Sequence, residues 1–230
     1  MLEWFSHHVV SFTVFFPLII ALAILINPFQ TKDKWLALLG SIACFLGSLH
    51  IWHYFKPNTA NLQFTEEYSW IEEFGVQYFV GIDGLNILLV LLTTFLTPLV
   101  ILCLWQSQIR NKKAFLSLIM ALETGMIGAL VSFDLVVFYI FWETILIPMY
   151  FIIGVWGGSN RIYATTKFII YTALGSLIML LAAITLYILH YQQHGFYSTN
   201  LLNLYSVNIF NLNHQMMLFS AFALAFAIKV

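Results

Sequence analysis

Seven runs of apolar residues divide the sequence, at 9–26, 35–52, 85–105, 114–133, 135–156, 162–189 and 216–230. An α-helix needs about 20 predominantly apolar residues to cross the roughly 30 Å hydrocarbon core of a bilayer. Most of the runs reach that length. Only 8% of the 230 residues are charged and 61% are hydrophobic, whereas a soluble domain carries about 25% charged residues. Most of the surface must therefore face lipid. The sequence predicts an all-α integral membrane protein: a multi-span helix bundle of about seven spans, forming one membrane domain over residues 1–230.

Charge in the connections sets the expected orientation. Lys32 and Lys34 follow the first run, and Arg110, Lys112 and Lys113 follow the third. Arg161 follows the fifth, with Lys167 just inside the next helix. The alternate connections carry Lys56 as their one cation, against Glu66, Glu67, Glu72, Glu73 and Asp83. Lys and Arg stay on the cytoplasmic side, which predicts an N-terminus outside. The opening MLEWFSHH has no Lys or Arg, so it does not read as a secretory signal. Tryptophans 4, 35, 52, 105 and 156 fall at span ends, as an interfacial aromatic belt requires. Residues 55–84 are too polar to span and predict a short lid on the outer face. Residues 197–214 suit a partly helical interfacial segment. The last run holds about 15 residues, short of a crossing, which predicts a span that is incomplete here and a bundle that is longer.

The fifth run, LVVFYIFWETILIPMYFIIGVWGG, places Glu143 near the middle of a span. A carboxylate there costs roughly 2.5–3.5 kcal/mol on the insertion scale, so a cation or a proton must offset it. Pro148 has no N–H, so the Thr144 carbonyl loses its helical partner and the helix should kink one turn past the acid. Tyr139 and Tyr150 are expected on the Glu143 face. Glu123, in the fourth run, lies about nine residues or ~14 Å from the inner boundary. It reads either as a second functional acid or as one hydrogen-bonded within the bundle. Ala121, Gly125 and Ala129 form a small-residue ridge beside it, suited to close packing. Lys229, deep in the last run, either pairs with Glu143 or snorkels to the headgroups. Lys167, with Thr165, Tyr171, Thr172 and Ser176, either lines a hydrated entry or snorkels.

Other chemistry finds no support. GVWGGSN matches neither the dinucleotide nor the P-loop pattern. Cys44 and Cys103 are single, without metal or redox spacing. His50 and His53 sit at a span end with no matching pair elsewhere. The net charge of −1 carries no basic block, so nucleic acid is not an expected partner. The lipid bilayer is, and neither a metal nor a cofactor is expected on this chain.

The stretches FWETILIPMYFIIGVWGG, RIYATTKFIIYTALGSLIMLLA and FALAFAIKV resemble the antiporter-like membrane subunits of the proton-pumping NADH:quinone oxidoreductase, respiratory complex I. E-T-x-x-I-P-M-Y after Trp142 is similar to the M type rather than the L or N types. ALETGMIGALVSFDLVVFY and VGIDGLNILLVLLTTFLTP extend the likeness to nearly the whole chain. The resemblance implies that Glu143 and Lys229 are the acid–base pair of a proton half-channel. It implies that Glu123 couples neighbouring subunits and that Lys167 lies in the entry region, with no catalytic residue in the redox sense. It implies NADH, flavin, iron–sulfur clusters and quinone on partner subunits. The expected partners are the other membrane-arm subunits, above all the antiporter-like ones, in a bacterial inner membrane. Family members continue through a second, inverted set of spans that is not in this sequence. Two other readings remain open: a subunit of a multi-subunit cation/proton antiporter, and a truncated, non-catalytic membrane scaffold.

Overall fold

A computed structural model describes residues 8–28, 32–59, 61–209 and 211–229. Trp4, with the rest of the first seven residues, and Val230 lie outside the described residues. The helices are α1 (Val9–Ile26), α2 (Asp33–Tyr54), α3 (Asn86–Cys103), α4 (Lys112–Val131), α5 (Leu135–Thr144), α6 (Leu146–Trp156), α7 (Arg161–His194), α8 (Leu201–Leu204) and α9 (Leu212–Lys229). Two strands, β1 (Gln63–Ile71) and β2 (Val76–Ile82), pair antiparallel between α2 and α3. Among the described residues six segments are long and apolar enough to cross a membrane: α1, α2, α3, α4, α5 with α6 as one span, and α7. The seventh apolar run forms most of α9, whose polar first turn carries Asn213, His214 and Gln215.

The helices alternate in direction, so the bundle has a hairpin end and a basic end. At the basic end the ammonium of Lys113 donates to the Asn27 carbonyl at 2.6 Å, and Trp156 Nε1 donates to the Arg110 carbonyl at 2.7 Å. These bonds gather the basic connections on one side. Helix α4 is the centre of the packing and touches α1, α2, α3, α5 and α6. Near the hairpin, Val10 and Val14 meet Ile82, Val90, Ile127 and Phe141. Near the basic end, Ile24, Leu38, Ile101, Leu116 and Met120 form a second cluster. The outward faces are equally apolar, with Ile19, Leu46, Leu92 and Leu181 all more than half exposed. In water such a surface aggregates; here it meets acyl chains.

The segment read as a lid is a β-hairpin. Aromatic and β-branched residues in QFTEEYSWI and VQYFVGI favour strands, and Gly75, at φ 62°, supplies the left-handed residue that closes the turn. The Phe133 N–H donates to the Phe79 carbonyl at 2.8 Å, and the Leu135 N–H to the Thr199 carbonyl at 2.8 Å. The connection between α4 and α5 is thereby stitched between β2 and residues 199–201. Asp134 completes the joint. Its Oδ1 accepts from Val136 N (2.9 Å) and Val137 N (3.1 Å), which caps α5. Its Oδ2 accepts from Gln77 N (3.2 Å) and from the Thr199 hydroxyl.

Candidate functional site

The fifth span is broken at Ile145, between α5 and α6. Pro148 cannot donate to the Thr144 carbonyl, and the bonds around the gap are long: Ile145 N to Phe141 O at 3.3 Å and Met149 N to Ile145 O at 3.4 Å. Thr144 Oγ1 turns back to the Ile140 carbonyl at 2.7 Å. Glu143 is therefore the penultimate residue of a half-helix rather than the middle of a continuous one. Its Oε1 is buried and, among the described residues, has no hydrogen-bond partner. Tyr139, one turn earlier, stands beside both Glu143 and Ser176 of α7. Tyr150 lies past the break, exposed, with its ring edge-on to Phe151 at 5.3 Å.

Lys229 reaches the same break from α9. A Cβ added at Gly175 would stand 3.0 Å from Ile228 Cδ1, so the bare glycine lets α7 and α9 come close. Ala225 is buried in a cluster with Trp142 and Met179, and Phe226 meets the Trp142 indole edge-on at 5.3 Å. The Lys229 ammonium lies 4.4 Å from the centroid of that indole and donates to the Trp142 carbonyl. This carbonyl belongs to the last turn of α5, where helix carbonyls lack intrahelical partners and carry the negative end of the dipole. The lysine's partner is thus the residue next to Glu143 in the chain, by both hydrogen bond and cation–π contact.

Glu123 occupies a second buried position, on α4. It is fully buried, and among the described residues neither carboxyl oxygen has a hydrogen-bond partner. Thr97 of α3 and Cys44 of α2 are its polar neighbours. Thr97 Oγ1 also lies within hydrogen-bond distance, 3.1 Å, of the Thr93 carbonyl. One turn away, Thr94 Oγ1 and Ser48 Oγ lie 2.7 Å apart. A Cβ at Gly125 would stand 2.9 Å from Ile145 Cγ1, and one at Gly128 would overlap the Phe141 ring. Helix α4 therefore touches the break itself. Glu123 and Glu143 each lie two residues from the Gly125–Ile145 contact. On α4 the bare backbone of Gly125 and Gly128 makes close approaches, while Ala121 and Ala129 are half-buried and pack against the two core clusters.

Lys167 is not brought to this site. It is exposed on the outward side of α7, with its ammonium 5.8 Å over the Tyr163 ring. Tyr171 also faces outward, whereas Thr165, Thr172 and Ser176 are buried. The helical repeat accounts for the division, because positions 165, 172 and 176 share one face and 167 and 171 share another. His50 and His53 pack on the Tyr54 ring at 4.7 and 4.9 Å. Among the described residues no three His, Cys, Asp or Glu side chains converge as a metal site would need.

Two polar anchors at the hairpin end carry no motif in the sequence. Asp134 had one local signal, an acid immediately before an apolar run, which is the pattern of a helix N-cap. Glu66 had none. It is buried and accepts from Ser11 N at 2.9 Å and from the Ser11 hydroxyl, in the first turn of α1, with His8 Nδ1 at 3.7 Å. Tyr78 meets the same Ser11 hydroxyl at 2.8 Å. Burial, with the Glu66 charge adding to it, pushes the Tyr78 phenol up to about 12.

Fold and site together define a multi-pass α-helical membrane protein whose spans enclose two carboxyl groups and a lysine around a broken helix. Residues 132–230 match the family described as NADH:quinone oxidoreductase/Mrp antiporter, transmembrane. Subunit M of the NADH-quinone oxidoreductase of Rickettsia bellii is 41% identical over 229 residues, which is 96% of this chain and 45% of that relative. F(420)H(2) dehydrogenase subunit M of Methanosarcina mazei is 41% identical over 191 residues, 81% of this chain and 38% of that relative. Respiratory complex I from Thermus thermophilus contains a chain with a TM-score of 0.81 and 27% identity, covering 96% of this chain and 44% of that one. A chain of the Mrp complex from Dietzia shares the fold, with a TM-score of 0.75 at 17% identity, over 96% of this chain and 23% of that one. The chain belongs to the antiporter-like membrane subunits of the NADH:quinone oxidoreductase/Mrp family, and its likeness within them is to subunit M. It spans about half the length of the curated relatives it matches.

Proposed function

We propose that this chain is a membrane-arm subunit of a proton-translocating NADH:quinone oxidoreductase and contributes one proton half-channel. The observation that carries the reading is Lys229 bound to the carbonyl of Trp142, one residue from Glu143, at the break between α5 and α6. A carboxylate near a buried lysine favours its ammonium form, and desolvation favours the neutral amine. A small movement at the break changes the distance between Glu143 and Lys229 and so changes which form is held. The bond to a helix-end carbonyl keeps the ammonium ready beside the acid. Glu123, two residues from the contact with the break, is the second protonatable group of the pathway and links it to a neighbouring subunit.

In this reading the hydride and electron chemistry, with its flavin, iron–sulfur clusters and quinone, belongs to partner subunits. The partners in the membrane are the other antiporter-like subunits. The basic end faces the cytoplasm, which puts the hairpin outside a bacterial plasma membrane. Lys167, exposed on α7, acts at the cytoplasmic mouth or against a neighbouring chain.

The test is Glu143→Gln in the assembled complex. Gln keeps the size and loses the charge. Proton uptake by inverted vesicles should fall at least about tenfold, which corresponds to about 1.4 kcal/mol. Electron transfer from NADH to an artificial acceptor that bypasses the membrane should stay near normal. Full pumping by the assembled variant makes this acid structural. Gradient-driven sodium/proton exchange by the chain's own complex, without any quinone reductase, favours the antiporter reading instead.

A further inference from the structure

We propose that the basic end of the bundle binds the phosphate of an anionic lipid headgroup, in a cavity between the start of α2 and the connection from α3 to α4. The cavity has a volume of about 380 Å³ and is lined by Asp33, Lys34, Ile109, Asn111, Lys112 and Lys113, with Leu116 at its floor. Three ammonium groups face one carboxylate there, and that carboxylate is engaged: Asp33 is buried and accepts from Asn27 Nδ2 at 2.7 Å.

The three lysines are not equivalent. Lys112 donates to the carbonyls of Leu104, Trp105 (3.1 Å) and Ser107 (3.1 Å). All three of its N–H groups are committed, and its role is to cap the end of α3. Lys34 donates to the same Trp105 carbonyl at 2.9 Å. Two positive charges therefore share one oxygen, an arrangement that repels unless an anion sits between them. Lys113 donates to the Asn27 carbonyl at 2.6 Å. Among the described residues Lys34 and Lys113 each use one N–H in this way, and each keeps two for a ligand. Two flexible ammonium groups beside a polar amide at Asn111 suit the two unesterified oxygens of a phosphodiester headgroup.

The level of the cavity points to a lipid as the source. The indoles of Trp35 and Trp105 meet edge-on at 4.9 Å beside it, Lys34 lies 5.7 Å over the Trp105 ring, and Trp35 is 56% exposed. Tryptophans at a span end mark the headgroup layer, and basic pockets between spans at that level take anionic headgroups. Ile109 supplies an apolar wall for the glycerol.

The test uses the full chain purified in mild detergent, delipidated and offered phosphatidylglycerol or phosphatidylcholine, with bound lipid counted by native mass spectrometry. The wild type should retain phosphatidylglycerol over phosphatidylcholine. The double change Lys34→Gln and Lys113→Gln should lower that retention by roughly 25-fold, about fivefold for each charge. Lys34→Arg with Lys113→Arg should keep it. Asn111→Asp, which removes neither lysine, should lower it about fivefold by placing a negative charge in the lining. Lys56→Gln, at the hairpin end, should change nothing. Equal retention by the wild type, the Gln pair and Asn111→Asp overturns the proposal. So does displacement of the lipid by inorganic phosphate at equal concentration, which would make the cavity a site for a free anion.

Discussion

The ammonium of Lys229 lies 4.4 Å from the centre of the Trp142 indole and donates to the Trp142 carbonyl. One residue thus supplies both a π face and a helix-end dipole to a cation carried by a distant helix. If this ammonium and Glu143 act as one unit, Lys229→Ala and Glu143→Gln should each abolish most proton translocation, and the double variant should be no worse than either. Glu143→Asp should keep partial activity, because the charge survives on a shorter arm. Trp142→Leu removes the ring and leaves the carbonyl. It should therefore weaken the site by only about 1–2 kcal/mol, the value of a partly desolvated cation–π contact. Proton uptake by vesicles, beside acceptor-linked NADH oxidation, reads all five variants. Additive losses in the double variant would separate the two residues into different sites.

Gly128 lies where any side chain overlaps the Phe141 ring. Gly128→Val should destabilise the bundle by about 1–3 kcal/mol, the usual cost of overfilling a packed interior. Shrinking the ring in the double variant Gly128→Val, Phe141→Leu should recover part of it. Denaturant titration of the purified chain, followed by helical circular dichroism, measures both. The same insertion at Gly158, where a Cβ meets nothing within 4 Å, should be near neutral.

Tyr78 gives a pH signature at the hairpin end. Its phenol is raised to about 12 by burial and by Glu66, so the folded state favours the neutral form. The stability this supplies is complete below the ordinary tyrosine value of about 10 and is lost as pH rises through about 12. Ultraviolet difference titration should show a late-ionising tyrosine that is missing from Tyr78→Phe, and the docking of the hairpin on α1 should fail over the same interval. Glu66→Gln should bring that ionisation down. An unchanged titration in Glu66→Gln would mean that the charge is not felt.

Orientation can be read by labelling single cysteines in a background with Cys44 and Cys103 replaced. In intact cells an impermeant maleimide should modify Glu67→Cys, which is exposed on β1, and should reach Arg110→Cys, which is exposed at the basic end, only after lysis. Modification of Arg110→Cys in intact cells would invert the assignment.

Much of this molecule is written locally in its sequence. Apolar length fixes the spans, because lipid leaves the backbone no partner outside its own helix. Pro148 fixes the break, because a missing N–H is a property of one residue whatever surrounds it. The intramembrane positions of Glu123 and Glu143 follow from counting residues along a helix of known rise. Tertiary structure decided what those groups meet. That Lys229 seats on Trp142 depends on Gly175 admitting α9 against α7. That α4 touches the break depends on Gly125 and Gly128 facing Ile145 and Phe141. Lys167 and Thr165 are two residues apart in the chain, yet one faces outward and the other is buried, because the rotation of α7 is set by its neighbours and not by its composition. The hairpin's buried Glu66 and two of the four bonds to Asp134 were invisible for the same reason. Their donors come from residues 11, 77 and 199, brought together only when the helices have packed, whereas the other two, from Val136 and Val137, are the local helix cap.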